Sequence, residues 1–242
     1  MVISSTVQTP TDQTEPDAGT IHGREGPAMT ITTRKLTRAA GLAAAAAGLL
    51  FIGVQIKHPH LDATSITTTE MAIRDSLKVL MAVLALVGVT GMYLRQVGQT
   101  GLLGLVGYVL LGSGYLLIMN TAFVAGYVLP SIASTNSGYV NNVLAAATGG
   151  TAAGSIGLLQ TAIQIQSMAY LAGGLLFGIA LYRARVLARW AAALLAVGGF
   201  VTVALSVMPD AFYRLLAFPN GIAMIALGLS LWREQRPKVV VP

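Results

Sequence analysis

Four acids outside the terminal stretches of this chain could take part in chemistry: Asp62, Glu70, Asp75 and Asp210. Between Ser76 and Pro209 there is no Asp or Glu, so these few carboxyl groups stand out against a long apolar background. Two carboxyl groups held together in such surroundings do not both keep a charge; one carries a proton and can give it to a bound molecule. Glu70 in "TTTEMAIRD" and Asp210 in "VMPDAFYRLL" each head a run of helical character, and we expect them to face each other across a pocket between the second and sixth helices. The plainer role is helix capping, in which a carboxylate meets the free N–H groups and the dipole of a first turn, for about 1 kcal/mol. For Asp210, which follows Pro209, the two roles weigh equally.

Glu70, Arg74 and Lys78 recur at four-residue steps and so fall on one stripe of a helix, as an interfacial ion pair with long side chains reaching water would. Asp75 lies about a third of a turn or more around from that stripe and is expected to cap or to pair with a neighbouring helix. The expected walls of the pocket carry Tyr108, Tyr115, Asn120, Phe123 and Tyr127 on the third helix, Gln160, Gln164 and Tyr170 on the fourth, and Phe212, Tyr213 and Asn220 on the sixth. Tyr in membrane helices often serves packing or the interfacial belt. An aromatic face also stabilises a cation, which matters where a carbocation forms away from water.

The elements that must position these residues follow from composition. The chain has 242 residues, 55% of them hydrophobic and 10% charged, with 27 Gly and no Cys, and its mean hydropathy is +0.71. That is too little polar surface for a soluble domain and enough for an all-α, polytopic transmembrane bundle. Six apolar runs reach the roughly 20 residues a bilayer requires, near 36–56, 71–94, 101–129, 155–182, 187–208 and 212–232. The connection 130–154 is long, and 138–147 has a helix-like pattern ending at Gly149 and Gly150, so a short helix there would lie over the acidic end as a lid or form part of a plain external loop.

Basic residues set the orientation. Arg34, Lys35 and Arg38, then Arg95, then Arg183, Arg185 and Arg189, then Arg233, Arg236 and Lys238 all fall on one side of a six-helix count, while the acids fall on the other. By the positive-inside rule both termini are expected in the cytoplasm of a multi-pass cell-membrane protein. The net charge of +6 is thereby used for topology, and no nucleic acid is expected as partner. Residues 1–32, rich in Thr, Pro, Asp, Glu and Gly, read as a disordered cytoplasmic tail, residues 33–235 as the transmembrane domain and 236–242 as a C-terminal tail. Met29 would serve equally as a start, and the basic run before an Ala-rich stretch reads as an uncleaved first helix rather than a signal peptide. No small-xxx-small spacing is sustained, and no P-loop, HExxH or nucleotide-binding glycine fingerprint occurs. His22, His58 and His60 offer no clear ligand set, so neither a metal nor a cofactor is expected.

A small helical membrane chain with Glu70 near the start of an early helix and Asp210 at the head of a late one resembles the membrane-bound terpene cyclases, both the fungal meroterpenoid cyclases and the bacterial enzymes of drimentine-type pathways. The stretch from about 36 to 233 also resembles a widespread set of small actinobacterial membrane proteins. The fungal cyclases have seven helices, against six and a short one here. The resemblance implies proton-initiated cyclisation of a farnesyl or other prenyl chain on an aromatic or indole substrate, in secondary metabolism. It needs no metal and no diphosphate loss. It would make Glu70 and Asp210 the acid pair, with Arg74 beside Glu70. Tyr115, Phe123, Tyr170 and Phe212 would stabilise cations, and Asn120, Gln160, Gln164 and Tyr213 would line the substrate site. An upstream prenyltransferase would supply the substrate. The rival expectation is a non-enzymatic membrane protein, a small-molecule carrier or a structural subunit, for which polar residues deep in several helices would be the sign.

Overall fold

The computed structural model of the chain describes residues 31–56, 58–206 (backbone only from 199) and 217–234. Asp210, Phe212 and Tyr213 therefore lie outside the described residues, as do nearly all of the expected N-terminal tail and all of 236–242. Every regular element among the described residues is helical. The helices are α1 Thr33–Gly53, α2 Thr69–Arg95, α3 Val97–Phe123, α4 Leu129–Ile132, α5 Ser137–Ala147, α6 Leu158–Ala184, α7 Arg189–Ser206 and α8 Ala217–Glu234; a π turn at Val124–Val128 joins α3 to α4. Side-chain caps start three of them: Thr32 accepts from Lys35 N, Thr68 from Met71 N and Asn136 from Tyr139 N. Gly101 breaks the first turns of α3 with φ 56°, a conformation open to glycine.

Thr33–Gly53, Thr69–Arg95, Val97–Ile132 and Leu158–Ala184 are long and apolar enough to cross a membrane, which makes this a membrane protein. Their outer faces carry exposed apolar side chains, among them Leu49, Leu94, Leu102, Val109 and Met168. Backbone hydrogen bonds are satisfied within each helix, which lets such faces meet lipid.

The long helices pack in sequence around a ring: α1 against α2, α2 against α3, α3 against α6, α6 against α7, α7 against α8, and α8 back against α1. Glycines spaced seven apart, about two helical turns, allow the closest approaches. A Cβ on Gly41 would stand 2.7 Å from the Gly228 carbonyl oxygen, and one on Gly48 would stand 2.9 Å from Ile225 N. On α3, a Cβ on Gly107 would stand 2.7 Å from Phe177 Cα, and one on Gly114 would stand 2.8 Å from Tyr170 Cα. The sequence carries this seven-residue glycine spacing in place of a sustained small-xxx-small pattern. A side chain at Gly228 must push α1 and α8 apart, so Gly228→Val is expected to cost about 1–3 kcal/mol, seen as a lower melting temperature in detergent. Gly53→Ala, where the added methyl meets nothing within 4 Å, should not lower it.

Contacts between helix ends sort the charges. Arg38 lies over the Trp232 ring, Arg95 pairs with Glu234, and Ala188 N donates to Ser230 Oγ. The start of α1, the end of α2, the α6–α7 connection and the end of α8 thus share one end of the bundle. At the other end a second apolar core, including Ile66, Met71, Leu129, Val140, Leu144 and Ile163, seats α5 against α6 and the segment before α2. Ala63 N donates to Asn141 Oδ1 at 2.8 Å and ties that segment to α5.

Candidate functional site

Of the three acids expected to matter that are described, the structure buries Asp75, half-buries Asp62 and leaves Glu70 exposed. Asp62 sits in the segment before α2, where Oδ1 accepts from Thr64 N at 2.8 Å and Ser65 N at 2.7 Å. These backbone bonds hold its carboxyl below the usual carboxylate range, and its role is to shape a turn. Glu70, in the first turn of α2, is exposed and takes both Nε and Nη2 of Arg74, at 3.0 and 2.8 Å. The Arg74 Nη1 also donates to the Val54 and Ile56 carbonyls, which fixes the end of α1 to α2. This pair borders an apolar groove between α1 and α2 with Leu49, Leu50, Ile73 and Leu77.

Asp75 is different: it is 1% exposed. Its Oδ1 accepts from Lys78 Nζ at 2.7 Å, an i,i+3 pair within α2, and its Oδ2 is buried without a hydrogen-bond partner. Lys78 therefore leaves the stripe assigned to it with Glu70 and Arg74, and Asp75 pairs with its own helix and not with a neighbour. On the far side of Lys78, Nζ lies 3.4 Å from His58 Nε2. The other ring nitrogen of His58, Nδ1, is 2.9 Å from the Pro59 carbonyl. A carbonyl only accepts, so the proton sits on Nδ1 and Nε2 is left to accept from Lys78. Asp75, Lys78 and His58 thus form a line of proton-bearing groups from helix α2 to the segment after α1.

The backbone across from Asp75 is shaped to admit it. The π turn at Val124–Val128 interrupts α3 at this level, as such turns do at functional sites. A Cβ on Gly126 would stand 2.8 Å from Asp75 Cβ, so only glycine lets the turn pass.

Asp75, Lys78 and His58 line a cavity of about 700 Å³. It runs from the α5 end, where Asn141 and Gly149 border it, into the bundle as far as Phe51, Met81 and Ile118. Its volume falls in the range of roughly 300–1,000 Å³ usual for small-ligand sites. On the α3 and α6 walls Thr121 Oγ1 donates to Gln166 Oε1 at 2.6 Å, one turn from Tyr170. The Tyr170 ring meets Tyr115 edge to face, centroids 5.4 Å apart, and its hydroxyl is buried without a hydrogen-bond partner. Three buried side-chain atoms among the described residues lack a partner, and two of them, Asp75 Oδ2 and Tyr170 Oη, belong to residues of this cavity. The third, Gln96 Oε1, lies at the α2–α3 turn.

Of the other expected wall residues that are described, all but Asn220 lie away from the cavity. Tyr108 stacks on Tyr93, centroids 4.7 Å apart, and bonds Thr90, which is packing between α2 and α3. Phe123 and Tyr127 pair on the exposed face, with Tyr127 Oη 2.7 Å from Ser76 Oγ. Asn120 and Gln164 are exposed, Gln160 is half-buried, and none of the three borders the cavity. Asn220 is buried and does border it. Asp75, His58, Thr121 and Gln166 were missed as a set. The available signal was the i,i+4 pair Gln166 and Tyr170 on α6, whose first half also carries Gln160, Thr161, Gln164 and Ser167. Among the described residues no three of His, Cys, Asp or Glu gather as a metal site.

The chain was compared with protein-family models, with curated proteins and with solved structures, and nothing in any of the three matches it.

Proposed function

We propose that this chain crosses the membrane six times with both termini in the cytoplasm, and that its cavity holds a prenyl-bearing small molecule which it cyclises by proton addition. The closed ring of α1, α2, α3, α6, α7 and α8 supports the count. Even the 18-residue α7 and α8 reach about 27 Å at 1.5 Å per residue, close to the ~30 Å hydrocarbon core. The clustering of basic helix ends supports the orientation. A reporter fused after Arg236 should read cytoplasmic and one inserted in the 133–136 turn external; the reverse pattern, or the same side for both, would remove the assignment.

The observation that carries the chemistry is a buried carboxyl group, Asp75, with one oxygen unpartnered, in the wall of a cavity lined by both apolar and polar side chains. With Oδ1 engaged by Lys78, Oδ2 is the atom that can carry a proton, and because it is buried the Asp75 side chain must turn toward the cavity to exchange that proton with water or a ligand. That proton adds to the less substituted carbon of an alkene, and the electron pair of the double bond forms the new C–H bond. The cation left on the neighbouring carbon is attacked by the next double bond of the chain, closing a ring. Loss of a C–H proton to the Asp75 carboxylate or to water restores an alkene, so substrate and product are isomers. The Tyr170 ring, backed by Tyr115, offers a face to the intermediate cation. Relative to the acid pair expected from sequence, Asp75 takes the place of Glu70, and Asp210 keeps its place as the second carboxyl group to test.

A non-enzymatic carrier is the second reading, favoured by polar groups on four helices around the cavity: Asp75, Thr121, Gln166 and Asn220. Incubating membranes that contain the chain with a farnesylated indole separates the two. An isomeric product that depends on Asp75 supports the cyclase, whereas uptake into vesicles without conversion supports the carrier.

A further inference from the structure

We infer that Lys78 is a carbonyl-binding lysine, which holds an aldehyde with a hydrocarbon body in the cavity as a protonated imine paired with Asp75. The inference goes beyond the proposed function: it uses the same cavity and none of the cyclisation chemistry. Lys78 lies nine residues beyond Thr69, the first residue of α2, which is about 14 Å along the helix at 1.5 Å per residue. Its ammonium group therefore stands at membrane depth, where ionisable side chains are costly. A buried ion pair is often no better for stability than apolar side chains of similar volume, so stability alone does not account for the pair of Asp75 and Lys78. The Lys78 side chain is 22% exposed and borders the cavity, whereas Asp75 is 1% exposed, so the lysine is the member of the pair more open to a ligand. A lysine in apolar surroundings that can give up its proton is the nucleophile of imine chemistry. His58 Nε2, 3.4 Å from Nζ, accepts the proton that the ammonium group must lose. The free amine then adds to the carbonyl carbon, and the carbonyl oxygen becomes a hydroxyl group by taking a proton from the nitrogen. The proton on His58 passes to that hydroxyl group, which leaves as water while the nitrogen lone pair closes the C=N bond. One water is released, His58 ends neutral, and the nitrogen keeps one proton and the positive charge it had at the start. Asp75 Oδ1, 2.7 Å from Nζ, thus faces a cation before and after the reaction. Phe51, Met81 and Ile118 line the inner part of the cavity and suit the hydrocarbon body.

The test uses the purified full chain in lipid nanodiscs, farnesal as the probe, and sodium cyanoborohydride, which reduces an imine to a stable secondary amine that peptide mass mapping locates. The lysines of the chain are Lys35, Lys57, Lys78 and Lys238, so the others serve as internal controls. At limiting farnesal, Lys78 should be labelled about 10-fold more than the exposed Lys35, because binding in the cavity holds amine and carbonyl together. A lysine that serves only as an ion-pair partner gives the opposite order, since burial and charge protect it. Acetaldehyde, which lacks the hydrocarbon body, should favour Lys35. Lys78→Arg keeps a cation beside Asp75 and forms no imine, so it should abolish the preferred adduct and leave labelling of Lys35 as it was. Labelling of Lys78 at or below that of Lys35, or the same preference for Lys78 with acetaldehyde, would overturn the inference. The cyclase reading fails separately. If farnesal labels Lys78 and no prenyl substrate is cyclised, the imine site stands without the cyclase. If a prenyl substrate is cyclised and Lys78 is not labelled, the cyclase stands without the imine site.

Discussion

Asp75→Asn is expected to lower cyclised product by about 100-fold or more, the usual scale for removing a general acid, while the protein still accumulates in the membrane. Asn keeps the shape of the side chain and can still accept from Lys78 through its amide oxygen, so the pairing geometry of α2 survives. What disappears is the only proton-carrying group at that position. Glu70→Gln provides the contrast: Glu70 is exposed and spends its carboxylate on Arg74, so product should stay within about 3-fold and stability within about 1 kcal/mol, as for surface ion pairs. Asp210→Asn is measured alongside. A loss comparable to that of Asp75 would make the two acids act together, whereas near-normal turnover would reduce Asp210 to a helix cap, since Asn caps nearly as well. Near-normal turnover in Asp75→Asn would sink the cyclase reading and leave the carrier.

The long elements were legible in the sequence because lipid demands continuous apolar length. The runs near 71–94 and 187–208 became α2 Thr69–Arg95 and α7 Arg189–Ser206, and the short pattern at 138–147 became α5 Ser137–Ala147. That helix borders the cavity mouth through Leu144 and Ala145, a position open to a lid. The site was less legible for a geometric reason. On α2, Lys78 is four residues from Arg74 and three from Asp75, and both spacings bring side chains together. Periodicity alone assigned it to the stripe of Glu70 and Arg74. The choice is made by atoms distant in sequence: the Val54 and Ile56 carbonyls draw Arg74 toward the end of α1, and His58 receives Lys78 on the other side. The aromatic stripe on α3 failed similarly. Tyr108 and Tyr115, seven residues apart, lie within about 20° of one face, whereas Phe123, eight residues further on, is turned by about 80° from Tyr115 at 3.6 residues per turn. Tyr115 alone of the three turns out to be buried.

Lys78→Met is expected to destabilise the protein by roughly 3–5 kcal/mol, the scale seen when one member of a buried ion pair is removed. Lys78 is the only cation within salt-bridge distance of Asp75 among the described residues, and Asp75 already has one oxygen without a partner. Methionine fills the space of the Lys stem but leaves the Asp75 carboxyl group with neither oxygen satisfied. The double variant Asp75→Asn with Lys78→Met removes the charge together with its partner, so it should recover a large part of the loss. A thermal melt in detergent of the four proteins, compared as a double-mutant cycle, reads the coupling directly. Coupling of about 2 kcal/mol or more between the two substitutions would make Lys78 the group that keeps a carboxyl group in the wall of the cavity. Additive effects would mean that water entering from the mouth solvates Asp75 in place of Lys78, and the cavity could not then hold a cation away from water as the proposed reaction requires.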